Sequence, residues 1–195
     1  MSGTSRLWAG AGVVAGLAGL ALLAAGGGRA APAERPAAPA LRELDALKAA
    51  PDARAAAPLE AQLLGRWAAS GSPTVDAIMG RAMAAEEAGD AALARRLLDE
   101  IVVLQPAYAE AWNRRGALRY AAGDRTGALA DLNEALRRNP RHFAAWLGAG
   151  TVLEELGYRR EARIAFAEAL AIHPNLDAAR QGARRLDIQL DGREI

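Results

Sequence analysis

The chain has 195 residues, 52% of them apolar, with 24 basic side chains against 23 acidic ones. That length leaves room for about one domain with appendages, and a net charge of +1 gives no general pull toward nucleic acid or acidic lipid. With no cysteine, disulfides, thiolate catalysis and cysteine-ligated metals are excluded, and with aromatics at 5% the core has to come from close backbone approach.

At the N-terminus, Arg6 precedes an uncharged run from Leu7 to Gly28. Two export readings stay open for residues 1–28. A secretory signal would be cleaved near Ala25 or after Ala30, where small residues cluster. An uncleaved membrane anchor needs about 20 apolar residues, which the run also supplies. Both place the remainder beyond an inner membrane, as a periplasmic protein either released or anchored; a cytosolic Ala/Gly tail is the competing reading. Arginine is in large excess over lysine, of which Lys48 is the single example, and this points to a bacterial, high-GC genome. Residues 29–40, RAAPAERPAAPA, are too poor in large apolar side chains for a core and read as an extended linker. From Leu41, apolar residues fall at helical spacing (Leu44, Leu47, then Leu59, Leu63 and Trp67), so two short helices are predicted, closed by SGSP at 70–73.

From Val75 the chain divides into three 34-residue units, 75–108, 109–142 and 143–176. Their eighth residues are Ala82, Gly116 and Gly150, their twentieth Ala94, Ala128 and Ala162, and their thirty-second Pro106, Pro140 and Pro174. A period of this size indicates stacked helical hairpins. Each unit is predicted as a helix, a turn at Gly89-Asp90, Gly123-Asp124 or Gly157-Tyr158, and a second helix stopped before the proline. Small residues at positions eight and twenty let the two helices approach. Ile78, Trp112 and Trp146 at position four, with Leu98, Leu132 and Phe166 at twenty-four, fill the remaining space.

This pattern resembles the tetratricopeptide repeat family, whose W-x2-L-G-x2-Y…A-x3-F…A…P signature it matches at most positions. The resemblance implies an all-α, right-handed superhelix. Arg115 and Arg119 depart from it, standing where the family has leucine and tyrosine. An unpaired buried arginine costs several kcal/mol, so Arg119 is expected to snorkel into water and the middle repeat to pack less tightly. A solenoid has to hide its ends. Ala179, Ala183, Leu186 and Leu190 form one stripe of a capping helix over 177–191, and the degenerate hairpin at 41–74 is expected to cap the N-terminal end. The stretches GSPTVD, AEAWNRR and PRHF also resemble small exported tetratricopeptide-repeat proteins of proteobacteria, which implies no defined activity.

From Val75 onward there is no serine, cysteine or lysine, which removes the usual nucleophiles and Schiff-base chemistry. His142 and His173 lie beside the boundary prolines without zinc-binding spacing, and read as inter-repeat contacts. The pairs Glu86-Glu87 and Glu154-Glu155 point different ways on a helix, leaving an enzyme that uses carboxylates alone as the reading with least support. Across the repeats 13 arginines face 14 acids, a balanced surface rather than a nucleic-acid footprint. No catalytic residue, cofactor or metal is expected.

What the resemblance implies instead is a peptide-binding groove, lined by positions two, five, nine, twelve and thirteen of each unit. These are Asp76, Met79, Met83, Glu86 and Glu87; then Glu110, Asn113, Ala117, Tyr120 and Ala121; then Ala144, Leu147, Thr151, Glu154 and Glu155. The floor is apolar and the rim acidic, which suits a basic amphipathic protein segment. Chaperone-binding members grip a terminal carboxylate with lysine, arginine and asparagine; Asn113 alone resembles that clamp, which disfavours such ligands. The expectation is a non-catalytic interaction module of the cell envelope, with a self-associating scaffold as the alternative and membrane contact only through residues 7–28 if they are retained.

Overall fold

The computed structural model describes residues 38–191, among which there are nine helices and no strand. They are α1 (Ala38–Ala49), α2 (Ala53–Trp67), α3 (Pro73–Glu87), α4 (Ala91–Leu104), α5 (Ala109–Ala121), α6 (Arg125–Arg138), α7 (Phe143–Glu155), α8 (Arg159–Ile172) and α9 (Asp177–Asp191). The expected signal or anchor lies outside the described residues, and none of the described helices is long and apolar enough to cross a membrane. Helix α1 begins inside the stretch read as linker, because a proline at position 39 is tolerated in a first helical turn.

The three repeats are α3–α4, α5–α6 and α7–α8, and their turns are set by glycine. Gly89, Gly123 and Gly157 have φ of 76°, 85° and 84°, the left-handed conformation that closes a helix C-terminus. The following N–H groups, of Asp90, Asp124 and Tyr158, reach back to the carbonyls of Ala85, Arg119 and Leu153. Asp90 and Asp124 then start the next helix by accepting from the N–H groups of Leu93 and Gly127; Tyr158 makes no such side-chain cap. Helices α4, α6 and α8 stop one residue short of the residue before proline, a position that proline pushes out of the α conformation.

Small residues govern the packing as expected. Ala94, Ala128 and Ala162 are fully buried. A Cβ on Gly116 would stand 3.1 Å from Leu132 Cγ, and one on Gly150 would stand 2.7 Å from the Phe166 ring. Helix α9 covers the last repeat through buried Ala179 and Leu186.

Two expectations are corrected. The middle repeat is not loose: α5 and α6 make the most extensive contact of any described helix pair. Arg115 is buried there with Asp131, and its Nη1 donates to Asp99 at 2.9 Å. Arg119 does not carry its charge into bulk water; its Nη1 donates to the Gly127 carbonyl at 3.2 Å and its Nε lies 3.2 Å from Asp131. A buried carboxylate supplies the partner that the consensus pattern does not contain. The second correction concerns the α1–α2 hairpin, which does not stack on the first repeat as an end cap. Leu44, Leu47, Ala56 and Leu63 form a core with Phe143 of the third repeat, against which Ile172 and Leu176 also pack. Those junction residues offer the larger apolar surface to cover.

Candidate interaction surface

Helices α5 and α7 touch directly as well as through α6, which places the first helices of the repeats on the inside of the bend. The side chains expected on that face divide into a buried set, a paired set and an open set.

Met79 is only 2% exposed and belongs to the core of α3 and α4, so it is not groove floor. Glu110 is also buried, at 6% exposure. It accepts from Asn113 Nδ2 at 3.2 Å and Arg114 Nε at 2.9 Å, and faces His142 Nε2 at 2.9 Å. His142 Nδ1 accepts the Ala145 N–H, so Nε2 carries the hydrogen that is donated to Glu110. Burial pushes the Glu110 carboxyl up, but His142, Arg114 and Asn113 together outweigh it and hold the group below its usual range. Asn113 is thereby committed to Glu110. Ala144 is half-buried against the α1–α2 hairpin.

The paired set crosses from one repeat to the next. Glu86 accepts from Arg114 at 3.1 Å, yet burial keeps its carboxyl raised, consistent with its second oxygen having no partner. Tyr120 donates to Glu155, which also accepts from Arg125 Nε at 2.8 Å; these two bonds lower the Glu155 carboxyl. Glu154 accepts from Arg185 Nη2 of α9 at 2.9 Å. The twelfth residue of each unit, Glu86, Tyr120 and Glu154, thus bonds to the unit that follows. Sequence reasoning missed these arginines, though a signal existed. Arg114, Arg125 and Arg185 stand 28, 30 and 31 residues from their carboxylates, close to one period.

Met83, Leu147 and Thr151 are half-buried, with the Thr151 hydroxyl donating to the Leu147 carbonyl at 3.0 Å. Ala117, Ala121 and Glu87 are exposed. Asp76 is exposed and accepts the Ser70 N–H at 2.8 Å; bonds from Ser70 keep its carboxyl low. Six carboxylates (76, 86, 87, 110, 154, 155) therefore face three guanidiniums (114, 125, 185), and an acidic excess remains. Among the described residues no three His, Asp or Glu side chains converge as a metal site.

The tetratricopeptide repeat family matches residues 109–142. No curated protein matches the sequence. Among solved structures, the Sgt2 TPR domain from Aspergillus fumigatus is similar at 20% identity, over 63% of this chain and 83% of that one, with a TM-score of 0.58. The first TPR of Spaghetti (RPAP3), bound to the HSP90 peptide SRMEEVD, is similar at 17% identity over 60% and 93%, with a TM-score of 0.58. MamA is similar at 19% identity over 78% and 82%, with a TM-score of 0.57. At such identities the likeness speaks for the fold alone. The described residues have the all-α helical-repeat fold of these proteins, and residues 109–142 are a tetratricopeptide repeat.

Proposed function

We propose that the chain is a non-catalytic interaction module that holds a segment of another protein against the concave face of α3, α5 and α7. One observation carries this reading: half-buried Met83, Tyr120, Leu147 and Thr151 share that face with an excess of carboxylates. A basic amphipathic segment fits such a face. Its apolar side chains settle on the thioether, ring and aliphatic groups, while lysine or arginine meets the acidic excess. Because three of the carboxylates are already bridged by arginine, charge steers and selects more than it binds. The similar RPAP3 domain with its bound peptide supports the general mode, not the ligand.

The proposed setting is the cell envelope, on the strength of the Leu7–Gly28 run. A reporter active only in the periplasm, fused after Ile195, should be active, and the mass of the mature chain separates a cleaved signal from a retained anchor. For the binding itself, the full chain and its Tyr120→Ala variant are compared in pull-downs from envelope extract. A partner captured by the first and lost by the second, and eluted by salt, supports the reading. Capture that ignores both the substitution and salt sinks it.

A further inference from the structure

The residues that meet the α1–α2 hairpin recur at the repeat period. Tyr108, His142 and Leu176 are the last residues of the three 34-residue units, and each contacts the hairpin or its tether. The Tyr108 hydroxyl donates to the Ala68 carbonyl at 2.6 Å. Trp67 stacks on the His142 ring with centroids 4.6 Å apart. Leu176 packs against the cluster of Leu44, Leu47 and Leu63. Three residues earlier in their units, Gln105 donates to the Ser70 carbonyl at 2.8 Å and His173 Nε2 meets Glu60 at 3.2 Å. Asn175 donates to the Ala50 carbonyl at 2.7 Å. Followed backward from Ser70 to Ala50, the chain crosses the junctions of repeats one and two, two and three, and three with α9, in that order.

A repeat array is nearly one-dimensional: each unit touches its neighbours, and the overall bend is the sum of small rotations between units. Contacts spanning 113 and 125 residues do not belong to that scheme. The first repeat also has a core of its own, from Val75 to Ala111, that contains no hairpin residue. The hairpin's separate cluster borrows one fully buried residue, Phe143, from the repeats.

We propose that the α1–α2 hairpin is a strap that holds the superhelix at one curvature by engaging the same edge at all three junctions. With the strap released, the repeats stay folded and the bend becomes variable, so the strap fixes the spacing of α3, α5 and α7 independently of what binds there.

The test uses the full chain, whose lack of cysteine permits clean labelling. Spin labels are placed through Arg81→Cys on α3 and Gln181→Cys on α9, both exposed positions, and their distance distribution is read by pulsed dipolar spectroscopy. Leu47→Asp with Leu63→Asp puts two unpaired carboxylates at positions with no exposure and forces the strap off. The expected result is a distribution at least about twice as wide, as neighbour-only arrays allow, with helical signal lost from the hairpin alone. An unchanged width with hairpin amides exchanging freely overturns the proposal, as does collapse of the repeats. The milder Trp67→Ala gives a second reading: amide exchange in α7 and α8 should rise about tenfold, while unaltered exchange there counts against the strap.

Discussion

Arg115 donates to both oxygens of Asp131, at 2.8 and 2.7 Å, across the interface of α5 and α6. The Asp131 side chain keeps 3% of its exposure and that of Arg115 11%, so the bond replaces a leucine-type contact in the heart of the middle repeat. Removing one partner of such a pair is worse than never having it, because the other charge stays buried. Asp131→Ala should therefore cost about 3 kcal/mol in urea unfolding, moderated by the contact Arg115 keeps with Asp99. Adding Arg115→Leu should recover most of that loss. A double variant no more stable than Asp131→Ala would show that Arg115 is not held by this carboxylate.

Three glycines separate packing from conformational freedom. A Cβ on Gly150 would lie 2.7 Å from the Phe166 ring, and one on Gly182 would lie 2.5 Å from it. Nothing lies within 4 Å of a Cβ on Gly80, in the exposed interior of α3. Gly150→Ala and Gly182→Ala should each destabilise by about 1–3 kcal/mol through overpacking, whereas Gly80→Ala should stabilise by roughly 0.5–1 kcal/mol. Equal and small shifts in midpoint for all three would mean that the Phe166 ring yields freely.

Two neighbouring glutamates predict opposite responses to acid. The Glu110 carboxyl titrates lower in the folded chain than in the unfolded one, so the unfolded state binds its proton more tightly. Its contribution is present above the unfolded value, near 4.5, and is lost as pH falls through the lower folded value. Glu86 is raised by burial, so its contribution is full below the unfolded value and is lost as pH rises through the folded one. Glu110→Gln should flatten the acid limb of a stability–pH curve and lower stability at neutral pH. Glu86→Gln should leave the acid limb steep. Parallel curves for wild type and both variants would contradict these assignments.

The repeats were legible because their determinants are local and periodic: turn glycines, small residues at positions eight and twenty, prolines after each second helix. Met79 was misplaced because position five is exposed only where the neighbouring helix leaves it so, and here Leu98 and Ile101 close over it. The arginine bridges were missed because each residue was read within its own unit, whereas Glu86–Arg114 and Glu154–Arg185 form between units. Least legible was the hairpin. Leu44, Leu47 and Leu63 announce an apolar face, but no periodicity says that the face turns to Phe143 rather than to the adjacent repeat.

The interaction surface can be probed at a carboxylate that holds nothing together. Glu86, Glu154 and Glu155 bridge repeats, so reversing their charge would set lysine against Arg114, Arg185 or Arg125 and disturb the fold along with any binding. Glu87 is exposed on the same turn of α3 as Glu86. Glu87→Lys should leave stability within about 0.5 kcal/mol of wild type, as surface changes usually do. If a basic segment is steered to this face, the same change should slow its association several-fold at low salt and have little effect once salt screens the field. Dissociation should be set instead by the apolar floor, so Tyr120→Ala should speed release while altering association less. Association that is indifferent to Glu87→Lys at low salt would place the partner on another face of the solenoid.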